Sequence, residues 1–184
     1  GQPDFVTSTS GTSATAFNRP VTVRAAGEQM LLLDSYNSRV LIWVAAPTSA
    51  ATAADVVVGQ ADLVSGGDAT GSARLSFPAD MIVVGDKLVV ADIGNHRVLI
   101  WNTIPTTNGA SADLVLGQAN FTDAQANRGG PTAGNTLSAP AGLWSDGTRL
   151  MVADRDNNRV LVWNTFPTAN GQAADWVLGQ TSLT

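Results

Sequence analysis

The sequence predicts an all-β protein made of three copies of one small four-stranded sheet, and three observations carry that expectation. Gly-Gln pairs at Gly1-Gln2, Gly59-Gln60, Gly117-Gln118 and Gly179-Gln180 recur at offsets of 58, 58 and 62 residues. The spacing from Pro20 to Trp43, Pro78 to Trp101 and Pro140 to Trp163 is 23 each time, and from each Trp to the next Gly-Gln it is 16. Between these marks, short runs rich in Val, Ile, Leu and Trp alternate with Gly, Asn, Asp and Pro, the punctuation of strands and hairpins. Self-similarity at a fixed period marks a repeat architecture. The chain therefore divides as 1–58, 59–116 and 117–178, with 179–184 opening a further unit, all within one segment, 1–184. Only the stretch from Gln to Pro changes length, being 18, 18 and 22 residues.

In the first unit the strands are expected near 21–25, 30–34, 39–44 and 55–58, with a Gly27-Glu28 turn between the first two. In the second, "ADMIVV" runs to a Gly85-Asp86 turn, "KLVVAD" follows, "IGNH" turns the chain into "RVLIW", and "PTTNGASAD" leads to "LVLGQ". The third repeats this order from "AGLWSD" to "WVLGQ". The second and third strands lack clean alternation, so each sheet must be covered on both faces. Radial stacking of identical sheets provides that cover and leaves only short edges, which is the β-propeller. A sandwich fits one sheet per repeat poorly.

The segments "KLVVAD" and "GNHRVLIW" after Pro78, and "APAGL…LMVADRDNNRVLVW" in the third unit, resemble the NHL repeat. The resemblance covers all three units and implies a propeller of about six blades, of which this chain supplies half. Family members include enzymes, RNA-binding modules and protein-binding scaffolds, so the fold alone does not choose a function. The first unit departs most: Ser35, Tyr36 and Ser38 replace the Gly/Asn-rich turn, and Ala50-Ala51 stands where Asn108-Gly109 and Asn170-Gly171 stand in the others. Three blades do not close a ring. Completion is expected either from a second copy, in a head-to-tail homodimer closed by twofold symmetry, or from the remainder of a longer chain.

Composition narrows the function classes. Ten basic against fifteen acidic residues give a net charge of −5, with Lys87 the only lysine, which removes the electrostatic footprint of a nucleic-acid binder. No apolar run approaches the ~20 residues of a membrane-spanning helix. With no cysteine and one histidine, no transition-metal site and no cofactor are expected. The alanine- and threonine-rich, lysine-poor character suits a secreted or cell-surface bacterial protein.

The pairs Asp34 and Arg39, Asp92 and Arg97, and Asp154 and Arg159 flank the tight turn of each unit. Catalysis needs a constellation once, so a pair repeated in every unit reads as structural. Trp43, Trp101 and Trp163, which close each third strand, read as packing. His96 is not repeated, its counterparts being Ser38 and Asn158. It reads as a general base, a metal ligand or a ligand contact on the functional side, and as a hydrogen-bonding turn residue on the structural side. "DRDNN" crowds oxygen atoms at Asp154 and Asp156 but lacks the Gly and distal Glu of an EF-hand loop, leaving weak calcium binding open. Loops from the fourth strand to the next blade and between the second and third strands emerge on one face, and variable loops on a rigid scaffold favour recognition. The candidate binding residues are Asn95, His96, Asp123, Arg128, Asn135, Arg155 and Asp156. The expected function is non-catalytic binding or scaffolding of a protein or glycan. The alternative is a hydrolase or lyase with a site in the central channel.

Overall fold

The computed structural model describes Gln2, Asp4 and residues 6–184; the first Gly-Gln mark, at Gly1, lies outside the described residues. The fold is all-β. Blade 1 holds β1 (Pro20–Ala26), β2 (Gln29–Asp34), β3 (Arg39–Trp43) and β4 (Val56–Val58). Blade 2 holds β5 (Asp80–Val84), β6 (Lys87–Asp92), β7 (Arg97–Trp101) and β8 (Leu114–Leu116). Blade 3 holds β9 (Pro140–Ser145), β10 (Leu150–Asp154), β11 (Arg159–Trp163) and β12 (Trp176–Leu178). Each is a four-stranded antiparallel meander in sequence order, and the first strands of successive blades lie side by side. These are propeller blades with β1, β5 and β9 innermost.

The third strand ends at Trp43 and the fourth begins at Val56, one residue inside the expected bounds at each end. Asp55 causes the difference: its Oδ2 accepts the Val44 N–H at 2.9 Å, replacing the next backbone rung. Asp113 and Asp175 do the same for Asn102 and Asn164.

The apolar core consists of layers between blades. Leu31, Leu33, Val40 and Ile42 of blade 1 meet Met81, Leu88, Val90 and Trp101 of blade 2, while Val89, Val98 and Ile100 turn the other way onto Leu150, Val152 and Trp163 of blade 3. Adjacent residues of β6 thus enter different cores, which accounts for the unbroken apolar run. Trp43, Trp101 and Trp163 each donate the indole N–H to a carbonyl nine residues on, at Thr52, Ala110 and Gln172.

A buried polar rivet repeats at each blade. Asp92 Oδ2 accepts from Asn95 Nδ2 (2.8 Å) and Arg97 Nε (2.7 Å), and its Oδ1 accepts the Ser76 N–H (2.6 Å). Arg97 then donates to the carbonyls of Gly71 and Arg74 in the connection before its blade, and of Phe121 in the connection after it. Arg39 and Arg159 make the corresponding sets, to Ser13, Ala16 and Leu63, and to Ala133, Thr136 and Leu183. All three guanidinium groups are buried. Removing one strands a buried carboxylate and several carbonyls, so Arg97→Ala is expected to cost about 3–5 kcal/mol in a chemical denaturation measurement.

At the β9–β10 hairpin, Asp146 accepts the N–H groups of Thr148 and Arg149 and the Arg149 Nε. The Arg149 backbone hydrogen bond leads in lowering its carboxyl from 3.8 to about 2. A depressed carboxylate supports the fold above its unfolded value and loses that support as pH falls. A carboxyl-carbon NMR titration should therefore give a midpoint near 2 for Asp146, with the turn loosening between pH 3.8 and 2.

Candidate functional site at the axial mouth

A three-residue 3-10 turn follows the second strand of each blade, at Ser35–Asn37, Ile93–Asn95 and Arg155–Asn157. Blade 1's turn is bonded to the start of its inner strand, with the Ser35 and Tyr36 N–H groups donating to Arg19 and Asn18. These turns surround a cavity of about 300 Å³ lined by Arg19, Ser35 and Tyr36 of blade 1, Phe77 and Ile93 of blade 2, and Arg155 of blade 3. All three blades contribute, so the cavity lies at one end of the axis.

Its walls combine aromatic rings and cations. The Arg19 guanidinium sits 4.7 Å from the Tyr36 ring centroid and donates to the Tyr36 hydroxyl. Tyr36 and Phe77 meet edge to face at 5.8 Å, each a little over two-fifths exposed. Arg155 donates Nε to Asp156 Oδ1 at 2.8 Å, and both are exposed. That hydrogen bond chiefly holds the Asp156 carboxyl below the usual range, with the nearby His96 adding to it. Asp156 is thus held as an anion beside Arg155.

His96 is in the left-handed region (φ 51°), and its Nδ1 accepts the Ala139 N–H at 3.0 Å. Ser38 Oγ accepts the Phe77 N–H at 3.1 Å in the same way one blade earlier. The histidine therefore ties blade 2 to blade 3. Asn95 is buried, its amide donating to Ala69 O and Asp92 Oδ2. Asp154 likewise spends its oxygens on Ser138 N, Asn157 and Arg159.

Asp123 and Arg128 line a separate cavity of about 340 Å³ with Gln118, Thr122 and Gln125. Arg128 donates to the Gly117 and Gln118 carbonyls, and its burial lowers the guanidinium pKa against the opposing pull of Asp123. Asp123 Oδ2 accepts from Asn120. Asn135 is half-buried further along this connection. The candidate residues thus fall into two groups, with Arg155 and Asp156 at the axis and Asp123 and Arg128 in the long connection.

Sequence reasoning missed Arg19, Tyr36 and Phe77. The signal lay in the repeat frame, where the positions read Arg19, Phe77, Ala139 and Tyr36, Gly94, Asp156. Asp80 Oδ2 accepts the Leu143 N–H at 3.0 Å while Oδ1 faces Thr22 Oγ1 and Arg24 Nη2 at 3.4 and 3.5 Å. That carboxylate links the inner strands of all three blades. Among the described residues, no helix is long and apolar enough to cross a membrane.

No protein-family model and no curated protein matches the chain. Among solved structures it is similar to a Bacteroides fragilis protein provisionally assigned as a 6-phosphogluconolactonase, at 16% identity and a TM-score of 0.50, over 81% of this chain and 35% of that one. It is also similar to Hsv2 of Kluyveromyces lactis, at 12% identity and a TM-score of 0.43, over 79% of this chain and 37% of that one. The chain spans little more than a third of the length of either structure. The first likeness supports the propeller-like fold.

Because His96 acts through one acceptor atom, His96→Ala should cost about 1 kcal/mol in thermal unfolding, well below Arg97→Ala. His96→Asn, which restores the residue found at 158, should recover most of the loss.

Proposed function

We propose that the chain belongs to an NHL-type propeller and serves as a non-catalytic recognition module for a protein or glycan, bound at the axial end where the 3-10 turns emerge. The axial cavity carries this reading. Arg19, Tyr36, Phe77 and Arg155 vary where the scaffold is otherwise repeated, and four different side chains converge there from three blades. Half-exposed rings beside guanidinium groups suit a ligand with apolar faces and negative substituents. An acidic glycan offers both, and it is the ligand class favoured here. A secreted or cell-surface setting belongs to the same proposal.

The enzyme reading would place a reaction in the central channel. Asp80 is the carboxylate on the innermost strand of blade 2, and its bonds to Leu143, Thr22 and Arg24 commit it to holding the blades. This favours binding over chemistry.

Tyr36 is the only tyrosine, so tyrosine ring labelling gives a single NMR probe at the cavity. Titration with an oligogalacturonate should shift it, and Arg155→Ala should weaken the binding at least about tenfold, the loss of a charge-assisted hydrogen bond. A Tyr36 response to peptides and not to saccharides would transfer the reading to a protein ligand. Turnover of the saccharide would replace it with the enzyme.

A further inference from the structure

The two interfaces between blades share three contacts that the outer face of blade 3 presents half-made. First, a leucine ahead of the inner strand seats on the glycine that ends the previous blade: Leu75 crowds Gly59, and Leu137 crowds Gly117. Second, an Asn-Gly turn docks on the outermost strand. Asn108 Oδ1 accepts the Val57 N–H at 2.9 Å while the Gly109 N–H donates to Val57 O; Asn170 and Gly171 do the same at Val115. Third, the residue before the proline donates its N–H to the side chain at position 38 or 96.

On blade 3 the matching groups are Gly179, Val177 and Asn158. No leucine approaches Gly179. Trp176 and Leu178 are 38% and 46% exposed, where Val56 and Val58 are 6% and 0%. Gln180 donates to the Asn158 carbonyl as Gln60 and Gln118 donate to those of Ser38 and His96, so the turn beneath this face is already set.

We propose that this face seats a further blade that carries Leu before its inner strand and Asn-Gly in its third-to-fourth-strand connection, as blades 2 and 3 do. Blade 1 of a second copy is the weaker occupant. It offers Phe17, held edge-on against Trp43 at 6.2 Å, in place of the leucine, and Ala50-Ala51 in place of Asn-Gly. Alanine has no side-chain acceptor for the Val177 N–H. This inference does not depend on the ligand reading.

Sedimentation equilibrium on the whole chain tests it. Ala50→Asn/Ala51→Gly alters two exposed residues and gives blade 1 the missing turn. This variant should associate head to tail at least about tenfold more tightly than the wild-type chain, and adding Phe17→Leu should tighten it further. Val177→Pro, which deletes the N–H from an edge strand, should abolish the gain. Equal association of wild type and Ala50→Asn/Ala51→Gly, or a gain that survives Val177→Pro, would overturn the proposal.

Discussion

The buried aspartate–arginine rivet is the constraint on which the fold depends. A buried ion pair is weak evidence of stability on its own, because desolvation offsets its attraction. Here the guanidinium also satisfies carbonyls from the connections on both sides of its blade, groups that would otherwise be buried without partners. The aspartate, in turn, accepts the Ser76, Asn18 or Ser138 N–H from the connection that leads into its own blade. Each rivet therefore fixes where a blade begins and where the next connection leaves. Three rivets in register give three blades in register.

The apolar layers follow from that geometry. Successive residues of one strand enter the cores on opposite sides, so a blade has no solvent face to spare. Exposing an apolar face costs roughly 25 cal/mol per Å², and on the outer side of β12 Trp176 and Leu178 are exposed at strand positions where blade 1 buries Val56 and Val58. The polar inter-blade contacts then decide which surface can cover it. Apolar area asks for a neighbour, while the Val177 N–H and the space over Gly179 specify which one.

The fold was legible because its signals are local and repeated. Turn residues, strand lengths and the Trp, Pro and Gly-Gln marks each recur within one unit, and the repeat frame aligns them without a structure. The candidate site was less legible because its residues meet only through the ring. Arg19, Phe77 and Arg155 lie in different units, and nothing local to any of them indicates that they line one cavity. His96 shows the same limit. A lone histidine in a turn attracts attention, but its acceptor role depends on Ala139, 43 residues later.

The rivets also account for the one place where the repeat changes length. Arginine–carbonyl bonds clamp the connection at three points: Leu63, Gly71 and Arg74 before blade 2, and Phe121, Ala133 and Thr136 before blade 3. Asn127 N donates to Leu137 O as Ala69 N does to Leu75 O, and Thr136 N to Ala133 O as Arg74 N does to Gly71 O. The four extra residues of the third unit therefore fall between Asn127 and Ala133, inside the unclamped span. Arg128, at the start of that insertion, is in the left-handed region (φ 57°) and reaches back to the Gly117 and Gln118 carbonyls. An insertion between Ala133 and Thr136 would displace a carbonyl from the buried Arg159 guanidinium. The one length change among the three units thus falls in an unclamped span, outside the rivets.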